Sequence, residues 1–309
     1  MKYAHTACLG GGVIGASWTP LFLASGRSVT VYDPDPDIER HVKSYIERAW
    51  PTLTALGLTT HGTPDAVSFA TTAAAAVQGA GFVQENVPER LAIKHATFAE
   101  IEPVLQADAI VGSSASGLML SQMQGGWRNP ARFVLGHPFN PPHLIPLVEV
   151  LGNDKTAEGV VEQARAFYES VGKITIEVKK ERNDHVANRL QAALWREAIS
   201  LVRDGVATIE DVDKAVWAGP GLRWAAMGPT TLFHLGAGAG GLQAFCEHFA
   251  DTFHGWWDEL GHAKLDEDTI KILVNGIADA HGDASQADLS AARDALILAM
   301  QQATKPLRL

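Results

Sequence analysis

The stretch YAHTACLGGGVIGASWTPLFLASGRSVTVYD, residues 3–33, decides the fold. Tyr3 to Leu9 is a short apolar run, read as a strand. Gly10, Gly12 and Gly15 follow in the pattern G-x-G-x-x-G, and a helical pattern begins behind them with Ala16, Trp18, Leu21 and Phe22. A second apolar run, Val29 to Tyr32, ends at Asp33. Strand, glycine turn, helix, strand and acid, in that order, make a dinucleotide-binding βαβ unit. Gly10 allows the tight turn, Gly12 lets backbone approach a pyrophosphate, and Gly15 lets helix and strand pack closely. The first helical residues, Val13 and Ile14, carry N–H groups that point at the anion. A carboxylate at Asp33 accepts both ribose hydroxyls of an adenosine and repels a 2′-phosphate, which selects NAD over NADP.

Working outward, strands and helices alternate. Helical patterns cover about 38–56, 71–77, 89–105 and 157–171. Strand patterns cover 66–70, 81–85, 109–111, 132–135, 145–150 and 174–178. This alternation predicts an α/β, Rossmann-type, doubly wound sheet. From Asn183 onward no convincing strand pattern is found. Helices are expected at 185–204, 208–216, 230–235, 241–253, 267–280 and 289–302, with a chain break at Gly219-Pro220-Gly221. The expected organisation is a nucleotide domain at 1–184 followed by an all-α domain at 185–309.

Composition narrows the class. The chain has 309 residues, enough for two domains. The formal net charge is −10, with no dense Lys/Arg cluster, which disfavours nucleic acid and anionic membrane as partners. The two cysteines, Cys8 and Cys246, form no disulfide framework, and no His or Cys spacing suggests a metal. No charged leader precedes the first strand, and no apolar run reaches bilayer length. A reduced, cytoplasmic protein is the expectation.

Four polar residues stand out. His137 follows the strand 132–135 in what reads as a proline-fixed loop (Pro138, Pro141, Pro142), and histidine can take a proton from an alcohol near neutral pH. Glu149 sits in an apolar strand, where a carboxylate is costly unless paired. His137 is its natural partner, although an edge strand with Glu149 facing water fits the pattern equally well. Ser116 belongs to a small-residue loop at the carboxyl end of a strand, where ligands bind. Ser113 and Ser114 share that loop, and the pattern alone does not choose among the three. Asn188 opens the first helix of the second domain.

Together these segments resemble the 3-hydroxyacyl-CoA dehydrogenase superfamily over nearly the whole chain. Gly10 to Gly15 looks like its NAD fingerprint. His137-Pro138-Phe139-Asn140-Pro141 with Leu147-Val148-Glu149-Val150 is similar to its H-x-F-N-P…L-V-E-V signature, and Val186-Ala187-Asn188-Arg189-Leu190 to its V-x-N-R-L. The resemblance implies His137 as base with Glu149 as its partner. It also implies Ser116 and Asn188 as hydrogen-bonders to the substrate oxygen, with Glu85 touching the cofactor and Asn140 the substrate. A homodimer through the α-domain is implied as well. The segments 84–90 and 219–228 look closer to the carnitine 3-dehydrogenase branch, related to L-gulonate 3-dehydrogenase and lambda-crystallin, than to acyl-CoA enzymes. His143-Leu144-Ile145-Pro146 also departs from the acyl-CoA pattern. A trimethylammonium substrate calls for an aromatic face, and Trp224, inside the second segment, is the candidate.

Overall fold

The computed structural model describes residues 3–304. Its sheet has eight strands in the order β3-β2-β1-β4-β5-β6-β7-β8. They are β1 (His5–Leu9), β2 (Ser28–Tyr32), β3 (Val67–Phe69), β4 (Phe82–Glu85), β5 (Ile110–Ser113), β6 (Phe133–Pro138), β7 (Leu147–Leu151) and β8 (Ile174–Glu177). Every pairing is parallel except β6 with β7. The strand order reverses at β1 and β4, and the crevice at their carboxyl ends is where such sheets bind ligands.

Both faces of the sheet are covered. Successive strand residues enter different cores, as the period of two requires. Cys8, Phe82, Val134 and Val148 join one cluster, while Ala7, Leu9, Val83 and Leu135 join the other. The first cluster is closed by α1 (Val13–Ala24), α2 (Ile38–Ala55) and α6 (Val160–Glu169). The second is closed by α3 (Ala73–Ala76), α4 (Leu91–Ile101) and α5 (Leu120–Met123). Cys8 is fully buried, which pushes its thiol up to about 12 and leaves it an inert apolar filler.

After β8 the described residues are helical: α7 (Ala187–Arg203), α8 (Ile209–Ala218), α9 (Pro220–Ala226), α10 (Pro229–Gly236), α11 (Gly241–Glu259), α12 (Glu267–His281) and α13 (Gln286–Thr304). Gly219-Pro220-Gly221 does not leave a loop. Proline at the first position of α9 restarts a helix, because its missing N–H is needed by no helical bond there. The chain forms two compact units, Met1–Val186 with Arg293–Leu309, and Ala187–Ala292. The second half of α13 therefore groups with the first unit, not with the helices before it. There Gln301 donates to the Leu144 carbonyl at 2.7 Å and Gln302 to that of Ala55 at 3.0 Å. No helix of the described residues is long and apolar enough to cross a membrane.

Candidate active site

The nucleotide end of the crevice is built by backbone. Gly10 has φ +85° and donates to the Tyr32 carbonyl at 2.7 Å, which turns the chain between β1 and α1. A Cβ at Gly15 would stand 1.8 Å from the Gly10 carbonyl oxygen, so only glycine permits this closeness. A Cβ at Gly12 would meet nothing within 4 Å. Gly12 is exposed, and as N-cap of α1 it has no side-chain capping bond. That open cradle at a helix N-terminus fits a pyrophosphate. Val13, 60% exposed, and half-buried Ile14 form its rim. Asp33 is half-buried at the end of β2. Its carboxylate accepts from Gly11 N at 2.7 Å and Asp35 N at 3.0 Å, which fixes its direction. The residues present fit NAD.

Glu85, expected at the cofactor, has its side chain engaged within the protein. It is fully buried, and its carboxylate is consumed by Lys94 Nζ (2.7 and 2.9 Å), Ser113 Oγ (2.6 Å) and Val87 N (2.8 Å). A buried carboxylate needs this many donors, and none of its capacity is left for a ligand.

His137 and Glu149 face each other. They are directly paired across the antiparallel β6–β7 ladder, and His137 Nδ1 lies 2.8 Å from Glu149 Oε2. Glu149 is fully buried and His137 is 6% exposed. The second carboxylate oxygen accepts from Val186 N at 3.0 Å. A carboxylate only accepts, so the neutral imidazole carries its proton on Nδ1 and leaves Nε2 for a substrate. The loop expected around His137 is a strand instead. Pairing with β7 carries β6 through His137 and Pro138, and a non-local ladder leaves no local mark.

The three serines separate. Ser113 Oγ is held by Glu85. Ser114 Oγ donates to Asn86 Oδ1 at 2.7 Å and accepts from Gln84 Nε2 at 2.8 Å. Ser116 is half-buried, and Ser116 N, Ser116 Oγ and Gly117 N all donate to Glu89. Burial alone would raise the Glu89 carboxyl, but the backbone bonds from Gly117 and Ser116, the Ser116 hydroxyl and the Lys94 charge together outweigh it and hold Glu89 below its usual range. Glu89 lies in the segment 84–90, and only the folded loop delivers three donors to it.

Asn140 is exposed in the turn after β6, before a cis bond to Pro141. Asn188 is half-buried on the first turn of α7, in the second unit. Trp224 lies on α9, 40% exposed, and it stands apart from the aromatic pocket of that unit, which Phe233, Phe245, Phe249, Phe253 and Trp257 line. Two further buried basic side chains, Lys173 and His185, belong to the first unit. Lys173 Nζ donates to the carbonyls of Pro142 and Ile145 and lies 4.9 Å from the Trp18 ring, with burial pushing it down to about 7. His185 is 5.3 Å, ring to ring, from His137. No run of sequence brings residue 185 to 137, so neither could be found by pattern.

Comparison with known proteins identifies the family. Residues 5–182 match the NAD-binding domain of 3-hydroxyacyl-CoA dehydrogenase, and residues 185–271 match its C-terminal domain. An L-carnitine dehydrogenase of Streptomyces coelicolor is 43% identical over 97% of this chain and 94% of its own. One from Pseudomonas putida is 39% identical over 97% and 93%. Among solved structures, the NAD+-dependent dismutase 5-formyl-3-hydroxy-2-methylpyridine 4-carboxylic acid 5-dehydrogenase superposes with a TM-score of 0.83. It is 30% identical and covers 98% of both chains. The chain belongs to the 3-hydroxyacyl-CoA dehydrogenase family and is an NAD-dependent dehydrogenase acting on CH–OH groups.

Proposed function

We propose that this enzyme oxidises the 3-hydroxyl of a small hydroxy acid, with L-carnitine as the leading substrate and 3-dehydrocarnitine as product. The observation that carries the reading is 38–43% identity to proteins called L-carnitine dehydrogenase over nearly the whole chain, with the His137–Glu149 pair intact. His137 Nε2 takes the hydroxyl proton as the carbonyl forms, and Glu149 stabilises the resulting imidazolium. Bound NAD supplies the hydride acceptor. Gly10, Gly12, Gly15 and Asp33 hold it in the first unit. Ser116 hydrogen-bonds the substrate oxygen after turning from Glu89, and the resemblance of residues 186–190 to V-x-N-R-L supports the same task for Asn188. Trp224 remains the proposed face for the trimethylammonium.

The second unit supports a homodimer. Of its large apolar side chains Ile199, Ile209 and Val212 are buried, while Trp217, Leu222, Trp257 and Val274 are each 60–66% exposed. An α-domain with so much apolar surface uncovered calls for a partner.

The test is an NADH-absorbance assay with L-carnitine, L-gulonate and 3-hydroxybutyryl-CoA. Turnover of carnitine far above the other two is the expected result. Preference for gulonate or the thioester overturns the substrate, and no turnover of any would favour a crystallin-like, NAD-binding role.

A further inference from the structure

His185 sits beside the reacting imidazole in an uncommon state. It is 3% exposed, and neither ring nitrogen makes a hydrogen bond of full geometry within the protein. Buried polar atoms are almost always paired, so an orphaned ring asks for an explanation. Burial first, and the neighbouring His137 second, hold His185 below its usual pKa. Glu149, the Ala115 carbonyl and Asp184 pull weakly the other way. The ring is therefore neutral at pH 7, with one N–H to give. The backbone beneath it is strained as well, since Asp184 and His185 have φ of +61° and +50°. Strain of this kind persists where surrounding structure enforces it, and it gathers at ligand sites.

The enforcement is visible. Glu149 holds His137 through Oε2 at 2.8 Å and the backbone just after His185 through Oε1 at 3.0 Å. One buried carboxylate thus holds the His137 ring and the backbone next to His185, and the two ring centres are 5.3 Å apart with planes at 53°. His137 is almost as covered, at 6% exposed, so burial to this depth is what a group in this recess shows.

We propose that His185 contacts the substrate and selects for a carboxylate beside the 3-hydroxyl, its neutral ring donating to that carboxylate while His137 Nε2 engages the hydroxyl. In a 3-hydroxy acid the carboxyl carbon is two bonds from the carbinol carbon, a span that neighbouring imidazoles can bracket. The inference rests on the reading of the substrate as a small 3-hydroxy acid.

The test compares wild type with His185→Phe, which keeps a planar ring without a donor, and with His185→Asn, which keeps a donor. The readouts are KM and kcat for L-carnitine and for carnitinamide, calorimetric binding of L-carnitine to the enzyme–NADH complex, and Tm. A hydrogen bond to a charged group sets an expected loss of about 10–100-fold in carnitine KM and affinity for His185→Phe. The amide should lose much less, NADH binding and Tm should hold, and Asn should restore most of the carnitine affinity. A carnitine KM within about twofold of wild type overturns the proposal, as does an equal loss for the amide. A fall in Tm and NADH binding in both variants, with no recovery by Asn, would make His185 structural. If wild type oxidises another 3-hydroxy acid and not carnitine, the substrate reading fails, and the same comparison of that acid with its amide still decides His185. If wild type accepts only thioesters, both fail.

Discussion

Replacing His137 by Gln should lower kcat by about 10²–10⁴-fold, the usual worth of a positioned base, with NADH affinity nearly unchanged. Stopped-flow turnover with fluorescence titration of NADH checks it, and near-normal turnover would refute the assignment. Glu149→Gln should also lower kcat, because a neutral amide cannot stabilise imidazolium as it forms. Asp33→Ser should narrow the preference for NAD over NADP, since it removes a carboxylate that two backbone N–H groups hold in place. Comparing kcat/KM for the two cofactors decides that, and equal use of both by the wild type would sink the reading. The Asp33 inference needed nothing but sequence, because strand, turn and acid are consecutive there. His137 and Glu149 were each legible as candidates, yet whether Glu149 faced water or His137 depended on a ladder between strands. His185 was invisible for the same reason.

The turn after β6 invites a different measurement. His143 is buried, with Nδ1 2.8 Å from Ser17 Oγ and 3.4 Å from Tyr45 OH. Burial chiefly pushes it from its ordinary 6.5 down to about 4, with Asp294 opposing and Lys173 and Arg293 assisting. The unfolded chain then takes up a proton that the folded chain refuses. Stability conferred by a neutral His143 is complete above pH 6.5 and is lost as pH falls towards 4. His143→Gln should remove a share of that slope on the order of 3 kcal/mol, read as the difference in urea midpoint between pH 7 and 4.5 for the two proteins. At α8, Thr208 accepts from Asp211 N at 3.1 Å, so Thr208→Ala should cost about 1 kcal/mol with activity unchanged below the melting range. Most helices were readable, because periodicity is local. The reach of β6 through Pro138 was not, and the restart of a helix at Pro220 showed only when α9 was seen to begin there.

Light scattering should return about twice the 33.1 kDa chain mass, and a strictly monomeric, active enzyme would contradict the proposed dimer. Exposed Trp217, Leu222 and Trp257 are the surfaces to test, and charged substitutions there should yield monomers of lower Tm. The mostly parallel eight-stranded sheet followed by helices was legible because alternating patterns repeat along the chain. The path of the last helix was not, since α13 runs from the second unit to group from Arg293 onward with the first. The sequence by itself determined the βαβ unit, the NAD cofactor, the helical second half and the residue types available for proton transfer, all of which are written in neighbouring positions. Only the tertiary structure decided that Glu85 is spent on Lys94 and Ser113, that His137 lies on a strand opposite Glu149, and that His185 stands beside them unpaired. Those outcomes depend on burial and on pairing between distant strands, where the cost of an unmatched polar group is set by neighbours the sequence does not put side by side.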